Sequence, residues 1–556
     1  MILLYYICGD LMIKFLKKLD KHWVMIIGIF LVSLGIMLPL FIQEYHVNDD
    51  TMYHITTIAS IKDLIKNDFF SGITGKILPN IGNNFGYGSR LFYPPIFHTV
   101  CAYLSYFLDN FNVSLTTSVK ILYLITFFIS GCMMYLCSYR FTKKKSLAFI
   151  SSVIYLASSY HINEIYVRDA QAESLLFVFL PLVILGLKEL LEDNKKWFYP
   201  CFIIGYVGGI LSHFTMMIYV TLFLGIVMLI MYKKVFKKEF IVPFIKACVL
   251  VLLLTAFFFE PLFEHKLFGN YMVYKKWVMS LGVWHKTLWG IEYILPLEID
   301  DIYFYFSMVT LVLMSIVLIN KRAIFKEDKY KLVGIFTLIS FIMSSRYSPW
   351  KIMPYSLFMI QFGWRLVTLV ILGFSLMAPL SLEKSSRQLK ILCLIGIIIP
   401  GVLSIHFASD RTFKELDYSY GVGWQNEYMP VNLIDHKEYY DSRSHNVINI
   451  DTKEEVRVKE GDYPKISFSI KDNGIYELPR IFYYGYSLVD ESKEKITLKE
   501  SDNGFLEANL KTGDYTLEFK GSLIYRVCSL ISLGTLISII IYLIIRKIKS
   551  YRKESL

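Results

Sequence analysis

The stretch that decides the fold is VMIIGIFLVSLGIMLPLFI, which occupies residues 24–42 and contains no charged side chain. A helix of about 20 apolar residues is long enough to cross the hydrocarbon core of a bilayer. One Lys, Arg or Asp at its centre would cost roughly 2.5–3.5 kcal/mol. Similar apolar runs occupy residues 119–137, 241–262 and 522–545. The sequence therefore predicts a protein that crosses the membrane several times.

The composition separates this chain from soluble proteins. Of its 556 residues, 55% are apolar and 19% are charged, whereas an average soluble protein is about 45–50% apolar and about 25% charged. The net charge of +11 would by itself suit a nucleic-acid partner. The basic residues, however, are concentrated in short segments between the apolar runs. We therefore expect the chain to contact a lipid bilayer and no nucleic acid.

The positions of Lys and Arg predict which side of the membrane each connection faces. Seven short segments, from 13–22 to 546–553, hold 28 Lys and Arg in 61 residues, whereas three longer connections hold 9 in 127. Cytoplasmic loops are enriched in Lys and Arg, so we expect the seven segments and both termini to be cytoplasmic. This assignment places twelve spans near residues 24–42, 118–138, 146–160, 173–191, 197–213, 214–231, 241–262, 303–320, 331–345, 364–382, 389–407 and 522–545.

The predicted fold is mostly α-helical: a polytopic bundle of about twelve transmembrane helices with a small β-sandwich-like domain outside the membrane. The β-rich domain is 408–521, the one polar block of domain size, because its residues alternate at 465–470 and 515–519 between turn signals. The other predicted parts are a cytoplasmic N-terminus (1–23), a transmembrane domain (24–407) with a large first external loop (43–117), a last transmembrane helix (522–545) and a cytoplasmic tail (546–556).

The apolar stretch 91–108 does not fit this alternation of sides. If it crossed the membrane, the basic residues at 140–145 would lie outside. We therefore predict a helix that lies on the outer interface, with tyrosines and His98 as amphipathic anchors. A thirteenth span is the alternative.

The first candidate site follows the first span directly. If Asp50 begins a helix, His54 lies one turn further along the same face. A carboxylate there can take a proton from an acceptor hydroxyl, and the imidazole can orient that hydroxyl or meet an anionic leaving group. The alternative is structural: Asp49 or a neighbour caps the helix, and Asp50 favours its positive end.

A second polar cluster is predicted on the same side of the membrane. It contains Arg168, Asp169 and Glu173 between two spans. Because this cluster and Asp50 are predicted on the same side of the membrane, they can approach each other. The alternative is an interfacial ion pair of Arg168 with Asp169. His213 and Arg365 also fall at outer helix ends, where capping or snorkelling is the more common role of a single polar residue.

Several motifs together resemble a known family. They are DTMYH at 50–54, FGYGSRLFYPP at 85–95, RDA with a following Glu at 168–173, LSH at 211–213 and ELPRIFYYGY at 477–486. The chain resembles the bacterial membrane family labelled "6-pyruvoyl-tetrahydropterin synthase-related", and the last motif looks like the outer-domain signature of YfhO-type proteins. Nothing in the sequence looks like the soluble, zinc-binding synthase of that label.

Both families look like GT-C glycosyltransferases, multispan enzymes that move a sugar from a polyprenyl-phosphate carrier to an acceptor on the outer side. The resemblance implies the acid role for Asp49 and Asp50, the second-loop acid for Asp169, and an interface helix after Pro94-Pro95. It also implies a bacterial plasma membrane with the active site facing outside. His54 is not part of the general superfamily motif, and Asp169 follows an arginine instead of preceding an asparagine.

The resulting hypothesis is an inverting glycosyltransferase that modifies a cell-surface glycan or lipid. Asp50 would act as base on the acceptor hydroxyl, with Asp49 or Asp169 in support. Arg90, Arg168 or His213 would stabilise the departing polyprenyl phosphate. No cofactor is required by this scheme, but Asp49 and Asp50 suit a Mg²⁺ or Mn²⁺ ion as an alternative.

The rival hypothesis is a lipid or glycolipid transporter, or a non-catalytic assembly factor for surface polymers. Transporters commonly carry ionisable residues or broken helices near the bilayer midplane. In this sequence the charged groups gather at the predicted outer helix ends. That placement favours an enzyme.

Overall fold

A computed structural model gives the fold. It describes residues 21–42, 45, 50–275, 307–345, 347–409, 426–461 and 465–554. Helices make up about 70% of the structure. The predicted N-terminal segment lies almost entirely outside the described residues.

The helices follow in chain order as α1 to α19. Their bounds are α1 Lys21–Ile42, α2 Thr51–Asn67, α3 Ser71–Thr74, α4 Ile96–Leu108, α5 Leu115–Thr142, α6 Lys145–Leu156, α7 Ser159–Tyr166, α8 Gln171–Leu191, α9 Lys195–Ser212, α10 Phe214–Ile230, α11 Tyr232–Val235, α12 Lys238–Phe268, α13 Met308–Asn320, α14 Asp328–Ser344, α15 Val367–Met377, α16 Arg387–Ser409, α17 Val431–Asp435, α18 Lys437–Ser442 and α19 Leu523–Glu554. Short 3₁₀ turns include Ser89–Leu91 and Gly363–Leu366.

Among the described residues, six segments are long and apolar enough to cross a membrane. They are Lys21–Ile42, Leu115–Thr142, Gln171–Leu191, Lys238–Phe268, Gly363–Leu382 and Leu523–Ile548. Each of the twelve predicted spans overlaps a helix. The prediction of a mostly helical membrane protein is thus confirmed, whereas the number twelve stays a prediction.

Small residues allow the central helices to pack closely. A Cβ atom on Gly186 of α8 would lie 2.8 Å from the backbone nitrogen of Phe202 in α9, and one on Gly205 would lie 2.8 Å from the backbone nitrogen of Val183. Such close backbone approach is how helices associate in lipid, where no hydrophobic effect drives them together. Helix α8 is consequently buried along nearly its whole length.

The connection between α1 and α5, called here the first loop (residues 43–117), is folded over residues 50–117, which the structure describes without a gap. Helices α2 and α4 pack against each other, and Lys62 of α2 reaches Ser105 and Asp109 at the end of α4 with hydrogen bonds of 3.1 and 2.5 Å. Helix α4 has 13 residues, which gives a length of roughly 20 Å against about 30 Å for the hydrocarbon core. This length favours the predicted interface helix over a thirteenth span.

Residues 426–461 and 465–521, called here the β-rich block, contain two five-stranded antiparallel sheets. The strand orders are β2-β1-β5-β9-β8 and β3-β4-β10-β6-β7. The strands are β1 Val447–Asn449, β2 Glu455–Val456, β3 Lys459–Glu460, β4 Ile466–Ile470, β5 Gly474–Ile481, β6 Tyr486–Asp490, β7 Lys495–Ile496, β8 Lys499–Glu500, β9 Phe505–Leu510 and β10 Gly513–Phe519. Both sheets contribute to one apolar core. The predicted β-sandwich is therefore present; its location outside the membrane stays a prediction.

The β-rich block docks on the first loop. The imidazole of His445 stacks on Phe85 with ring centroids 4.5 Å apart, and its Nε2 lies 2.8 Å from the carbonyl oxygen of Asn83. The backbone N–H of Ile481 donates to Phe85. The block is also held through α19, where Ser532 donates to the carbonyl of Leu253 in α12 at 2.8 Å.

Candidate active site

Asp50 stands at the N-terminus of α2, as the sequence predicts. Its backbone N–H donates to the carbonyl of Arg168 at 3.0 Å, and its carboxylate makes no capping hydrogen bond to α2. The carboxylate oxygen Oδ2 lies 3.9 Å from the Arg168 guanidinium, and the side chain is 41% exposed. Burial by the surrounding protein raises the pKa of Asp50, and the Arg168 charge opposes this rise. Asp50 is therefore an accessible carboxylate beside a buried guanidinium, and the residues around this pair are called here the recess.

Arg168 is the centre of the buried charge cluster. Its Nη1 donates to Glu164 at 2.6 Å and to Glu173 at 3.0 Å, and all three side chains are at most 6% exposed. The guanidinium also lies over the Trp364 ring, 4.2 Å from its centroid. Arg168 thus bonds two buried carboxylates, of which Glu173 also lies 3.6 Å from the Arg365 guanidinium. Burial raises the pKa of Glu164 even though Arg168 opposes the effect.

Asp169 adopts the left-handed conformation with φ +54°, which Asp tolerates better than most residues. Its two carboxylate oxygens accept hydrogen bonds from Tyr45 at 2.9 Å and Tyr123 at 2.5 Å. Burial raises the pKa of Asp169 to about 6, while the hydrogen bonds from Tyr123, Thr51 and Tyr45 lower it. Asp169 thus holds the loop that carries Arg168 against the start of α2.

Arg365 brings a second guanidinium to the recess. Its Nε lies 3.6 Å from the Glu173 carboxylate, and its side chain is 12% exposed. Its Nη1 donates to the side chain of Gln361 at 3.0 Å and to the carbonyl of Ile360 at 3.1 Å. Gln361 has a φ of +63°, and strained backbone of this kind often occurs at functional sites. The recess therefore combines the exposed carboxylate of Asp50 with the guanidiniums of Arg168 and Arg365.

Residues 91–408 match the family model of the 6-pyruvoyl-tetrahydropterin synthase related domain, which is described as a membrane protein. The chain belongs to this family. The matched region includes Arg168, Glu173 and Arg365, whereas Asp50 lies ahead of it. No curated protein matches the chain.

In this family member, the contacts of two predicted site residues, His54 and Arg90, indicate a structural role. The Nδ1 of His54 lies 2.7 Å from Nε2 of His98 in the packed contact between α2 and α4, and burial lowers the pKa of His54 to about 3. Arg90 donates to the carbonyls of Gly75 at 2.6 Å and Gly72 at 2.9 Å. These contacts favour a neutral buried imidazole and a guanidinium that braces the first loop.

Glu173 belongs to the buried cluster, and His213 lies near it. Tyr160 and Thr368 donate to the Glu173 carboxylate at 2.7 and 3.2 Å. The Nδ1 of His213 accepts the backbone N–H of Met216 and so caps the N-terminus of α10. Asp49 lies outside the described residues, so a Mg²⁺ or Mn²⁺ site that uses it stays a prediction. Within the described ranges, no three His, Cys, Asp or Glu side chains are grouped to hold a metal.

The sequence did not point to two residues of the recess, Glu164 and Glu427, and it gave Arg365 no role in the site. The spacing of Glu164 and Arg168 by four residues is a helix-pair signal, so this contact was visible in principle. Arg365 was assigned only the ordinary role of a residue at a helix end. Glu427 carries no local signal, because it reaches the recess only through the packing of the β-rich block.

Proposed function

We propose that this protein transfers a sugar from a polyprenyl-phosphate carrier to an acceptor hydroxyl on the outer side of the membrane. The observation that carries the proposal is the accessible Asp50 carboxylate, 3.9 Å from a guanidinium that is itself fixed by buried acids. Family membership supports a membrane location. The assignment of the recess to the outer side rests on the distribution of Lys and Arg.

The chemistry needs a base and a cationic site at one place. Asp50 accepts the proton of the acceptor hydroxyl as the hydroxyl oxygen forms a bond to the anomeric carbon. The bond from that carbon to the phosphate oxygen breaks, and its electron pair leaves with the polyprenyl phosphate. Arg168 and Arg365 stabilise the negative charge on the departing phosphate by charge-assisted hydrogen bonds. Asp50 thus acts on the attacking hydroxyl, and Arg168 and Arg365 act on the leaving phosphate.

The fixed position of Arg168 supports this role. A guanidinium that is held by Glu164, Glu173 and the Trp364 ring does not have to reorganise when charge develops. Helix α4, with its exposed Val100 and Phe107, offers an apolar surface for the bilayer interface beside the first loop. A lipid-linked donor would then present its phosphate at the level of the recess.

Replacement of Asp50 by Asn tests the proposal. In a strain that lacks the chromosomal copy, we expect Asp50→Asn to reduce sugar transfer by about 10²- to 10⁴-fold, the usual contribution of a general base. Asn caps a helix about as well as Asp, so the protein level in the membrane should be unchanged. The measurements are the composition of surface glycans and the amount of lipid-linked sugar.

The matched control is Asp472→Asn, because Asp472 is an exposed acid of the β-rich block; it should restore the wild-type composition. Full complementation by Asp50→Asn would refute the base assignment. If deletion of the protein left the donor trapped on the cytoplasmic leaflet, the transporter hypothesis would replace the enzyme.

A further inference from the structure

The segment that enters the β-rich block lies against the recess. The carbonyl of Met429 accepts the backbone N–H of Met272 at 3.0 Å, and the carbonyl of Tyr428 accepts the Tyr483 hydroxyl at 2.9 Å. The Tyr428 ring stacks on Phe92 of the first loop with centroids 5.5 Å apart. These contacts fix the position of the preceding residue, Glu427.

Glu427 and Asp50 both lie within the influence of the Arg365 charge. Its Oε1 accepts a long hydrogen bond of 3.4 Å from Gln361, the residue that also binds Arg365. Burial raises the pKa of Glu427 to about 7; the Arg365 charge opposes this rise and the Asp50 charge adds to it. The side chain remains partly exposed. A second accessible carboxylate therefore lies at the recess, more than 370 residues after the first in sequence.

The contacts of Glu427 differ from those of a structural carboxylate in the same block. Glu477 accepts hydrogen bonds from Tyr439, Arg443, Ser501 and Asn503 at 2.7 to 3.1 Å. A carboxylate offers about four acceptor positions, so Glu477 is saturated by the protein. Glu427 accepts a long hydrogen bond from Gln361 and one from the Tyr428 hydroxyl, and its exposed face has room for further donors.

Aromatic rings complete this side of the recess. The Tyr53 and Tyr93 rings lie 5.4 Å apart, and each lies 6.3 Å from the Tyr428 ring. Rings of this kind pack on the apolar C–H faces of a sugar, and carboxylates accept hydrogen bonds from its hydroxyls. The two guanidiniums of Arg168 and Arg365 suit a phosphate instead. The recess therefore offers aromatic rings and carboxylates to the sugar of a sugar phosphate, and guanidiniums to its phosphate.

We infer that Glu427 binds hydroxyl groups of the transferred sugar, so that the β-rich block completes the substrate site of the membrane domain. This inference rests on the proposed function and extends it, because it assigns the sugar and the phosphate of the donor to different residues. Glu427 recognises the sugar, whereas Arg168 and Arg365 recognise the phosphate.

The test compares binding of the carrier with and without a sugar. Purified full-length protein in detergent is heated with undecaprenyl phosphate, or with undecaprenyl phosphate that carries glucose, N-acetylglucosamine or mannose. We expect the wild-type protein to be stabilised more by its sugar-bearing donor than by the bare carrier. Glu427→Gln should respond to both alike, and its affinity for the donor should fall by about 10- to 100-fold, the value of a hydrogen bond to a charged group.

The controls separate this inference from the proposed function. Glu454→Gln, at an exposed site of the same block, should keep the wild-type preference for the sugar-bearing carrier. If Glu427→Gln also keeps it while Asp50→Asn abolishes transfer in cells, Glu427 does not bind the sugar and the proposed function stands. If deletion of the protein changes no glycan or lipid-linked sugar, the proposed function fails and the inference falls with it. Should Glu427→Gln not fold, Glu427→Asp keeps the charge at a shorter reach and must show the same loss of preference.

Discussion

Replacement of Arg168 by Gln should strongly destabilise the protein, because it leaves the buried Glu164 carboxylate without its cation and Glu173 with Arg365 alone. Glu164 is fully buried and Glu173 is 1% exposed, and both accept hydrogen bonds from the same guanidinium nitrogen. Removal of one partner of a buried ion pair costs about 3–5 kcal/mol. The Asp50 contact, at 3.9 Å and on an exposed side chain, adds little to this figure.

The matched variant is Glu164→Gln. Gln resembles the protonated form of Glu164, which burial favours by raising the pKa of that carboxyl, and it keeps an oxygen that accepts from Arg168. We therefore expect a change in the free energy of unfolding within about 1 kcal/mol of zero. Glu173→Gln should lie between the two, because Glu173 also accepts from Tyr160 and Thr368.

The assay is SDS titration of each purified variant in mixed micelles, followed by circular dichroism to obtain the free energy of unfolding. The expected order of destabilisation is Arg168→Gln, then Glu173→Gln, then Glu164→Gln. Two outcomes would refute the reasoning: a change of less than 1 kcal/mol for Arg168→Gln, or equal losses for Arg168→Gln and Glu164→Gln.

Two further predictions concern pH and topology. The folded pKa of His54 is about 3 against an ordinary 6.5. The contribution of His54 to stability should therefore be complete above pH 6.5, and the free energy of unfolding should fall by up to about 1.4 kcal/mol per pH unit as the pH drops towards 3. His54→Gln should flatten this slope in unfolding curves, and an unchanged slope would contradict the buried neutral imidazole. A cysteine at exposed Asn110 should react with an impermeant maleimide on intact cells, whereas one at exposed Lys384 should react only after permeabilisation. The reverse pattern would show that the protein has the opposite orientation in the membrane.

The sequence predicted the helices and the β-rich block well, because both rest on local patterns. A run such as residues 24–42 has few alternatives to a membrane helix. The alternation predicted at 465–470 and 515–519 corresponds to β4 at Ile466–Ile470 and β10 at Gly513–Phe519. The apolar stretch 91–108 starts before α4 does, so hydropathy alone gave too long a helix, whereas the resemblance placed an interface helix after Pro94-Pro95. The Pro94-Pro95 pair delays its first residue to Ile96.

The site was only half predictable from the sequence. Asp50, Arg168 and Asp169 were found because each follows a span on the same side of the membrane. The orientation of side chains was not available, so His54 was placed with Asp50 although its ring packs against His98. Glu427 depends on contacts between distant segments, such as Met429 with Met272, and no pattern along one stretch of sequence reports such contacts.

The β-rich block is tethered to the helical bundle at both ends, by the chain that leaves α16 and by α19, which hydrogen-bonds to α12. Undocking of the block from the first loop is therefore an intramolecular equilibrium. The effective concentration of the detached surfaces is on the order of millimolar for short tethers. A weakened contact, such as that of His445 with Phe85, would change how often the recess is complete. It would do so equally in dilute detergent and in a crowded membrane, because no second molecule takes part.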